Sequence, residues 1–150
     1  MECRLLVLIV ACNGAPVVTA RLLGHRFARP IDGGRRWPDG RAILGHSKTW
    51  RGILVALAVT TLGAPVLGFT LQTGLILGAI SMLGDLLSSF AKRRLGYPPS
   101  AQALGIDQIP ETLLPLIALK ESLDLTWLQV IIVVIGFFVI ERLLLRARGC

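Results

Sequence analysis

Residues 52–84, GILVALAVTTLGAPVLGFTLQTGLILGAISMLG, carry no charged side chain in thirty-three consecutive positions. One helix of that length would measure roughly 50 Å, against a hydrocarbon core of about 30 Å, so the stretch predicts two membrane spans rather than one. Gly63-Ala64-Pro65 and Gly68 supply the break. The second span is therefore expected over residues 52–67 and the third over 71–90, with Trp50 as an interfacial anchor.

Working outward, the first apolar run makes a span over residues 5–23 if Arg21 snorkels to the interface, with Asn13-Gly14-Ala15-Pro16 interrupting it near its middle. A fifth span is expected over 125–145, with Trp127 at one end, Glu141-Arg142 near the other, and Arg146 and Arg148 as anchors. The fourth, over 109–123, contains Glu111, Pro115 and Lys120, which predicts a short, kinked or partly re-entrant segment. The expectation is an all-α membrane protein of about five transmembrane helices, a single integral membrane domain over residues 1–150. Its two basic loops are expected on the cytoplasmic side. Neither an internal repeat nor a low-complexity tract is present.

Composition agrees with this reading. The chain has 150 residues, 53% hydrophobic and 17% charged, whereas soluble domains hold roughly 45–50% and about 25%. A net charge of +7 would suggest nucleic acid as the partner of a soluble protein. Here fourteen of the sixteen Lys and Arg residues fall within residues 21–51, 92–94 and 142–148, leaving Arg4 and Lys120 apart. That alternation follows the positive-inside rule, with the N-terminus outside and the basic loops and C-terminus in the cytoplasm of a multi-pass plasma-membrane protein. Membrane lipids and cytosolic phosphates, not nucleic acid, are the expected partners.

Cys3, Cys12 and Cys150 have neither a disulfide framework nor zinc-ligand spacing. Ile9-Val10-Ala11-Cys12 has the form of a bacterial lipoprotein cleavage site, but Glu2 beside a single Arg4 makes a poor leader, so Cys12 is expected to pack within the first span.

The chemistry is concentrated in three places. Residues 24–51 form a loop with seven Lys/Arg against two Asp and turn formers at Asp32-Gly33-Gly34 and Pro38-Asp39-Gly40. Ser47-Lys48-Thr49 and Arg51 then stand at a helix start, where backbone N–H groups and cationic side chains can cradle phosphate. A Walker A loop is excluded, because His46 and Ser47 separate Gly45 from Lys48 and no buried strand precedes them. In the third span, Ser81, Asp85, Ser88, Ser89 and Lys92 share one helix face. A carboxylate there needs a partner, either a Lys or Arg in a structural pair or a metal ion. Gly105-Ile106-Asp107-Gln108 brings a second carboxylate to the same side. Two aspartates flanked by Lys48, Arg51, Lys92 and Arg93 suit a magnesium nucleotide, since Mg²⁺ favours oxygen ligands and is commonly held by one or two carboxylates plus substrate phosphates.

The segments NGAP (13–16), PIDGG (30–34), GHSKTWRG (45–52), GDLLSSFAKRR (84–94) and Asp107-Gln108 together resemble the CDP-archaeol synthases, small membrane cytidylyltransferases related to CDP-diacylglycerol synthase. The resemblance implies transfer of CMP from CTP to a lipid phosphate, archaetidic-type or phosphatidic acid, giving a CDP-lipid and pyrophosphate. It also implies Mg²⁺, a five-helix membrane fold and a charged cytoplasmic cavity between the two basic loops. His46 stands where the family often has proline.

Because a lipid phosphate is already ionised at neutral pH, the barrier to such a reaction is electrostatic. By that logic Asp85 and Asp107 hold metal, and Lys48, Arg51, Lys92 and Arg93 bind phosphates, with Asp85, Lys48 and Lys92 at the catalytic centre. Ser47 and Ser89 are secondary donors. Arg35 and Arg36 either receive the lipid phosphate or anchor the loop at the membrane surface. Asp32 is either a third metal ligand or a turn residue. Tyr97 and Trp37 either stack on cytosine or mark the interface, Asn13 is an interhelical hydrogen-bond partner, and His25 and His46 are solvated. Two rival readings use the same residues: another lipid phosphotransferase or acyltransferase, and a small transporter or scaffold with Asp85 as an ion or proton site.

Overall fold

The computed structural model describes residues 1–98, 101, 103 and 105–148; Cys150 and the side chain of Arg148 lie outside that description. Its described helices are α1 (Glu2–Leu23), α2 (Trp50–Gly63), α3 (Leu71–Arg94), α4 (Gln108–Leu119) and α5 (Trp127–Arg148). Each packs against its neighbours in the chain, and α5 closes back on α1. Leu5, Leu8 and Ile9 of α1, Leu77 of α3, Leu116 and Leu119 of α4, and Val130, Val133 and Phe137 of α5 form the central core. Leu54, Leu62, Ile131 and Ile135 remain exposed, as expected of surfaces that meet lipid.

Four segments are long and apolar enough to cross a membrane: α1, α2 with the 3₁₀ turn Pro65–Leu67, α3 and α5. The break in the uncharged stretch falls where glycine and proline put it, with Gly68 in the left-handed region at φ 81°. Thr70 then caps α3 by accepting the Thr73 amide at 3.0 Å.

One expectation is corrected, and another is narrowed to the short form among its alternatives. The Asn13–Pro16 segment does not interrupt the first span, because α1 runs unbroken through Pro16. The fourth expected span, 109–123, is only a 12-residue helix, about 18 Å long and short of a full crossing. It stops at Leu119, and the chain turns with the Leu125 amide donating to the Lys120 carbonyl at 2.8 Å.

Close helix contacts set the depth of each element. A Cβ on Gly84 would strike the backbone carbonyl of Pro110 and lie 2.8 Å from the Glu111 Cα, so glycine is what lets α4 lie against α3. At one end of the bundle Glu2 accepts from Gln129 at 2.7 Å and Lys120 sits over the Trp127 ring at 5.0 Å. The loop between α1 and α2 and the connection after α3 lie at the other end.

Candidate functional site

The α1–α2 loop is organised by one carboxylate. Oδ1 of Asp32 accepts the Gly34 amide at 3.0 Å, and Oδ2 accepts the amides of Leu44 and Gly45 at 3.0 and 2.9 Å. Partial burial pushes the Asp32 carboxyl up, but the three N–H donors outweigh it and hold the group below the ordinary aspartate range. Glycines with positive φ at 33, 34, 40 and 45 make the turns. The Ile31 amide donates to Lys48 O at 2.9 Å and the Trp50 amide to Arg29 O at 3.1 Å, which returns residues 46–49 to the bundle. There Thr49 caps α2 by accepting the Gly52 amide at 3.2 Å.

A second set of contacts locks this loop to the end of α3. Arg94 donates to Asp39 and to the Ala42 carbonyl, both at 2.6 Å, while its guanidinium lies over the Trp37 and Phe90 rings at 5.6 and 5.1 Å. Arg41 returns the contact by donating to Arg94 O at 2.6 Å. The Arg41 backbone N–H and then the Arg94 charge keep the Asp39 carboxyl below its ordinary range. Sequence reading missed this lock, since Asp39 was legible only as a turn residue and Arg94 only as one of a basic run.

The lock and the loop bring Lys48 to α3. Its Nζ donates to both carboxylate oxygens of Asp85 at 2.6 and 2.7 Å. Two turns further along the same face, Lys92 pairs with Asp107 at 2.6 Å and donates to Ala101 O at 2.9 Å. The other oxygen of Asp107 accepts the Ala103 amide at 3.0 Å. Between the pairs lies Ser89, 1% exposed, whose Oγ has no hydrogen-bond partner among the described residues. Ser88 instead donates to Asp85 O at 2.9 Å.

The other expected site residues are distributed around this centre. Arg93, 4% exposed, donates to Tyr97 O at 2.5 Å and lines a cavity of about 440 Å³ together with Asp32, Arg36, Arg41, His46 and Tyr97. Arg36 also donates to Gly40 O at 3.2 Å. Arg35 and Ser47 are exposed on the loop. The Arg51 guanidinium reaches the carbonyls of Gly24, at 3.1 Å, and Arg26, tying the start of α2 to the end of α1. Of the two aromatic candidates, Tyr97 lines the cavity, while Trp37 packs edge-on against Phe90 at 5.4 Å. Asn13 bridges helices, donating to Ser81 Oγ at 3.4 Å, and Cys12 is buried.

One further acidic residue belongs to this region. Glu111, 6% exposed on α4, lies within electrostatic reach of Asp85, Asp107 and Lys48, and Ser81 donates to its backbone carbonyl at 2.8 Å. Its signal in the sequence was a carboxylate in an apolar segment, legible there only as an interruption. Asp32, Asp85 and Asp107 are not gathered into one cluster; among the described residues no three His, Cys, Asp or Glu side chains are grouped closely enough to hold an ion unaided.

Comparison with known proteins gives concordant results. A family model described as CarS-like, CDP-archaeol synthase, matches residues 4–146. The CDP-archaeol synthase of Thermococcus gammatolerans is 43% identical over 108 residues, covering 65% of this chain and 60% of the relative. That of Pyrococcus furiosus is 44% identical over 106 residues, covering 64% and 60%. A Saccharolobus islandicus relative of the same name is 36% identical over 106 residues, covering 67% and 64%. The matched region thus spans about 60% of the length of the first two curated relatives. A solved structure, described as an intramembrane enzyme for archaeal membrane lipids biosynthesis, superposes with a TM-score of 0.80 at 25% identity, over 98% of this chain and 92% of that one.

Proposed function

Because the chain belongs to the CarS-like CDP-archaeol synthase family, we propose that it is a membrane cytidylyltransferase that moves CMP from CTP onto an archaetidic-type lipid phosphate and releases pyrophosphate. The observation that carries this reading is the two lysine–aspartate pairs along one face of α3, Asp85 with Lys48 and Lys92 with Asp107, beside an arginine-lined cavity of about 440 Å³. Cation-rich walls around oxygen donors suit a triphosphate and a phosphate ester brought together.

The donor set fits Mg²⁺. Each aspartate is paired with a lysine, and an ion that takes one or two carboxylates and completes its shell with water and substrate phosphates needs no third protein carboxylate. Asp85 and Asp107 would hold Mg²⁺, which when bound supplies neutralisation of the triphosphate charge. Asp32, whose carboxylate accepts three backbone N–H groups of its own loop, shapes that loop instead.

The chain's own residues do the remaining work. Lys48 and Lys92 neutralise phosphate oxygens at the reacting centre, Arg36 and Arg93 bind phosphate from the cavity wall, and Ser89 offers a free hydroxyl. Ser47 is a second donor beside Lys48, while Arg51 holds the loop that delivers it. An ionised oxygen of the lipid phosphate attacks the α-phosphorus of CTP, and a new P–O–P linkage forms. The bond to the bridging oxygen of the β-phosphate breaks, and pyrophosphate leaves with the electron pair. No proton need move, so the acceleration comes from charge placement and alignment. The basic loops face the cytoplasm, where CTP is available, and the N-terminus faces outward.

The test is incubation of purified protein in detergent with α-labelled CTP, Mg²⁺ and, separately, an unsaturated ether-lipid phosphate and phosphatidate, with Asp85→Asn alongside. Label should enter the ether lipid, less well phosphatidate, and about 10³-fold less with Asp85→Asn. Absence of both transfer and CTP binding would return Asp85 to the role of a transported-ion or structural site.

A further inference from the structure

On the side of α3 turned away from the arginine-lined cavity lies a second cavity, of about 540 Å³, whose walls are almost wholly apolar. Leu87 and Ala91 of α3 form one wall and Ile106, Ile109 and Pro110 the other, with Ser88 at its floor. Gly105, at φ 84°, makes the turn that sets the second wall opposite the first. Leu87 and Ile109 are 50% and 48% exposed, so the trough is open along the bundle's outer surface.

Its position around α3 is informative. At about 100° per residue, Leu87, Ser88 and Ala91 centre on one direction, and Asp85, Ser89 and Lys92 lie about 120° round from it. Arg93, a wall of the polar cavity, lies about 75° further in the same sense. The charged face therefore separates a polar chamber from an apolar one, with Ser88 on the border and donating to Asp85 O. Along the helix, the trough occupies the last turns before Lys92-Arg93-Arg94, the level at which a membrane helix passes from hydrocarbon to headgroup.

We infer that this trough seats the headgroup-proximal part of a lipid phosphate's hydrocarbon chain, so that the acceptor enters sideways from the bilayer while the nucleotide enters from the opposite side of α3. A soluble phosphate gains nothing from apolar walls, and a neutral hydrocarbon gains nothing from adjacent lysines. A chain carrying its phosphate at one end satisfies both surfaces at once. The inference rests on the cytidylyltransferase reading for the identity of the acceptor, and on the trough alone for its location.

Two measurements test it. An ether-lipid phosphate with a photoreactive diazirine a few carbons from the glycerol is irradiated with the intact wild-type protein, without CTP, and the label is mapped. Label in residues 87–91 and 106–110, displaced by unlabelled lipid phosphate, is expected. Separately, Ile109→Trp, which fills the trough from an exposed position, should raise the KM for the lipid acceptor roughly tenfold with the KM for CTP unchanged. Leu54→Trp, on the lipid-facing side of α2, should change neither. CMP transfer with label confined to other helices, or with an unchanged acceptor KM in Ile109→Trp, overturns the trough and leaves the reaction standing. Displaceable label in the trough without CMP transfer to any lipid phosphate supports the trough and overturns the reaction.

Discussion

In the N-terminal half of α3, Gly74 and Gly78 bring the helix so close to α2 that a Cβ on Gly74 would strike the Thr60 carbonyl and lie 2.6 Å from the Ala64 Cβ. In the C-terminal half, beyond Gly84, the same helix carries Asp85, Ser88, Ser89, Lys92 and Arg93, three of them within 4% of full burial, and meets its neighbours through ion pairs and hydrogen bonds. One half is held by the absence of side chains, which leaves no room for adjustment. The other is held by charged side chains whose partners lie on the α1–α2 loop and at the start of α4. A membrane helix can thus be a rigid strut and a charged surface in successive turns, provided the two demands fall on different segments.

Substitutions should separate the halves, and the largest effect is expected at the reactive end. Asp85→Asn should lower CMP transfer by about 10³-fold, with the thermal midpoint of the detergent-solubilised protein little changed, because Lys48 and Asp85 remain partly exposed and the bundle does not depend on their pair. A comparable loss of thermal stability would break the distinction.

At the packed end the order reverses. Gly74→Ala should destabilise the protein by about 1–3 kcal/mol, because the clash with backbone outweighs the usual helix preference for alanine, and CMP transfer per folded molecule should be retained. Gly14→Ala is the control: a Cβ there meets nothing within 4 Å, so stability should rise by about 0.5–1 kcal/mol. Denaturation of both variants, with activity corrected for the folded fraction, checks the pair.

Smaller effects should come from the loop that joins the halves' chemistry. Arg94→Lys keeps the charge but loses the planar fork that reaches Asp39, Ala42 and the two rings, so the KM for CTP should rise several-fold, about 1 kcal/mol, with kcat nearly kept. The smallest effect concerns pH. The Asp32 carboxyl sits below its ordinary value of 3.8, so its contribution to loop order is complete above that value and is lost as pH falls through the lower, folded-state value. Hydrogen exchange at the Leu44 and Gly45 amides, corrected for intrinsic rates, should accelerate only in that acidic window, and Asp32→Asn should abolish the dependence.

The candidate site's geometry was legible in the sequence where spacing along one helix sufficed. Asp85, Ser89 and Lys92 share a face because they recur with helical period on α3, and a single element needs no long-range information. The partner of each was not legible. Lys48 reaches Asp85 only because Asp32 folds residues 44 and 45 back, and Arg94 anchors that loop through Asp39, a contact across 55 positions. Arg51 had the composition of a phosphate ligand, yet its guanidinium is directed to carbonyls at the end of α1. Glu111 was visible as an anomaly in an apolar segment, but its place beside Asp85 depends on Gly84 admitting α4.

By itself the sequence determined the membrane setting, the positions of the long helices and the carboxylate-bearing face of α3, because hydrophobic length and helical period are local quantities set by backbone geometry and the thickness of a bilayer. Only the tertiary structure decided that α1 runs through Pro16, where α4 stops, and that each aspartate is clasped by a lysine between a polar chamber and an apolar one. Those outcomes depend on which surfaces meet, and a charge or a proline has no fixed meaning until its neighbours across the fold are in place.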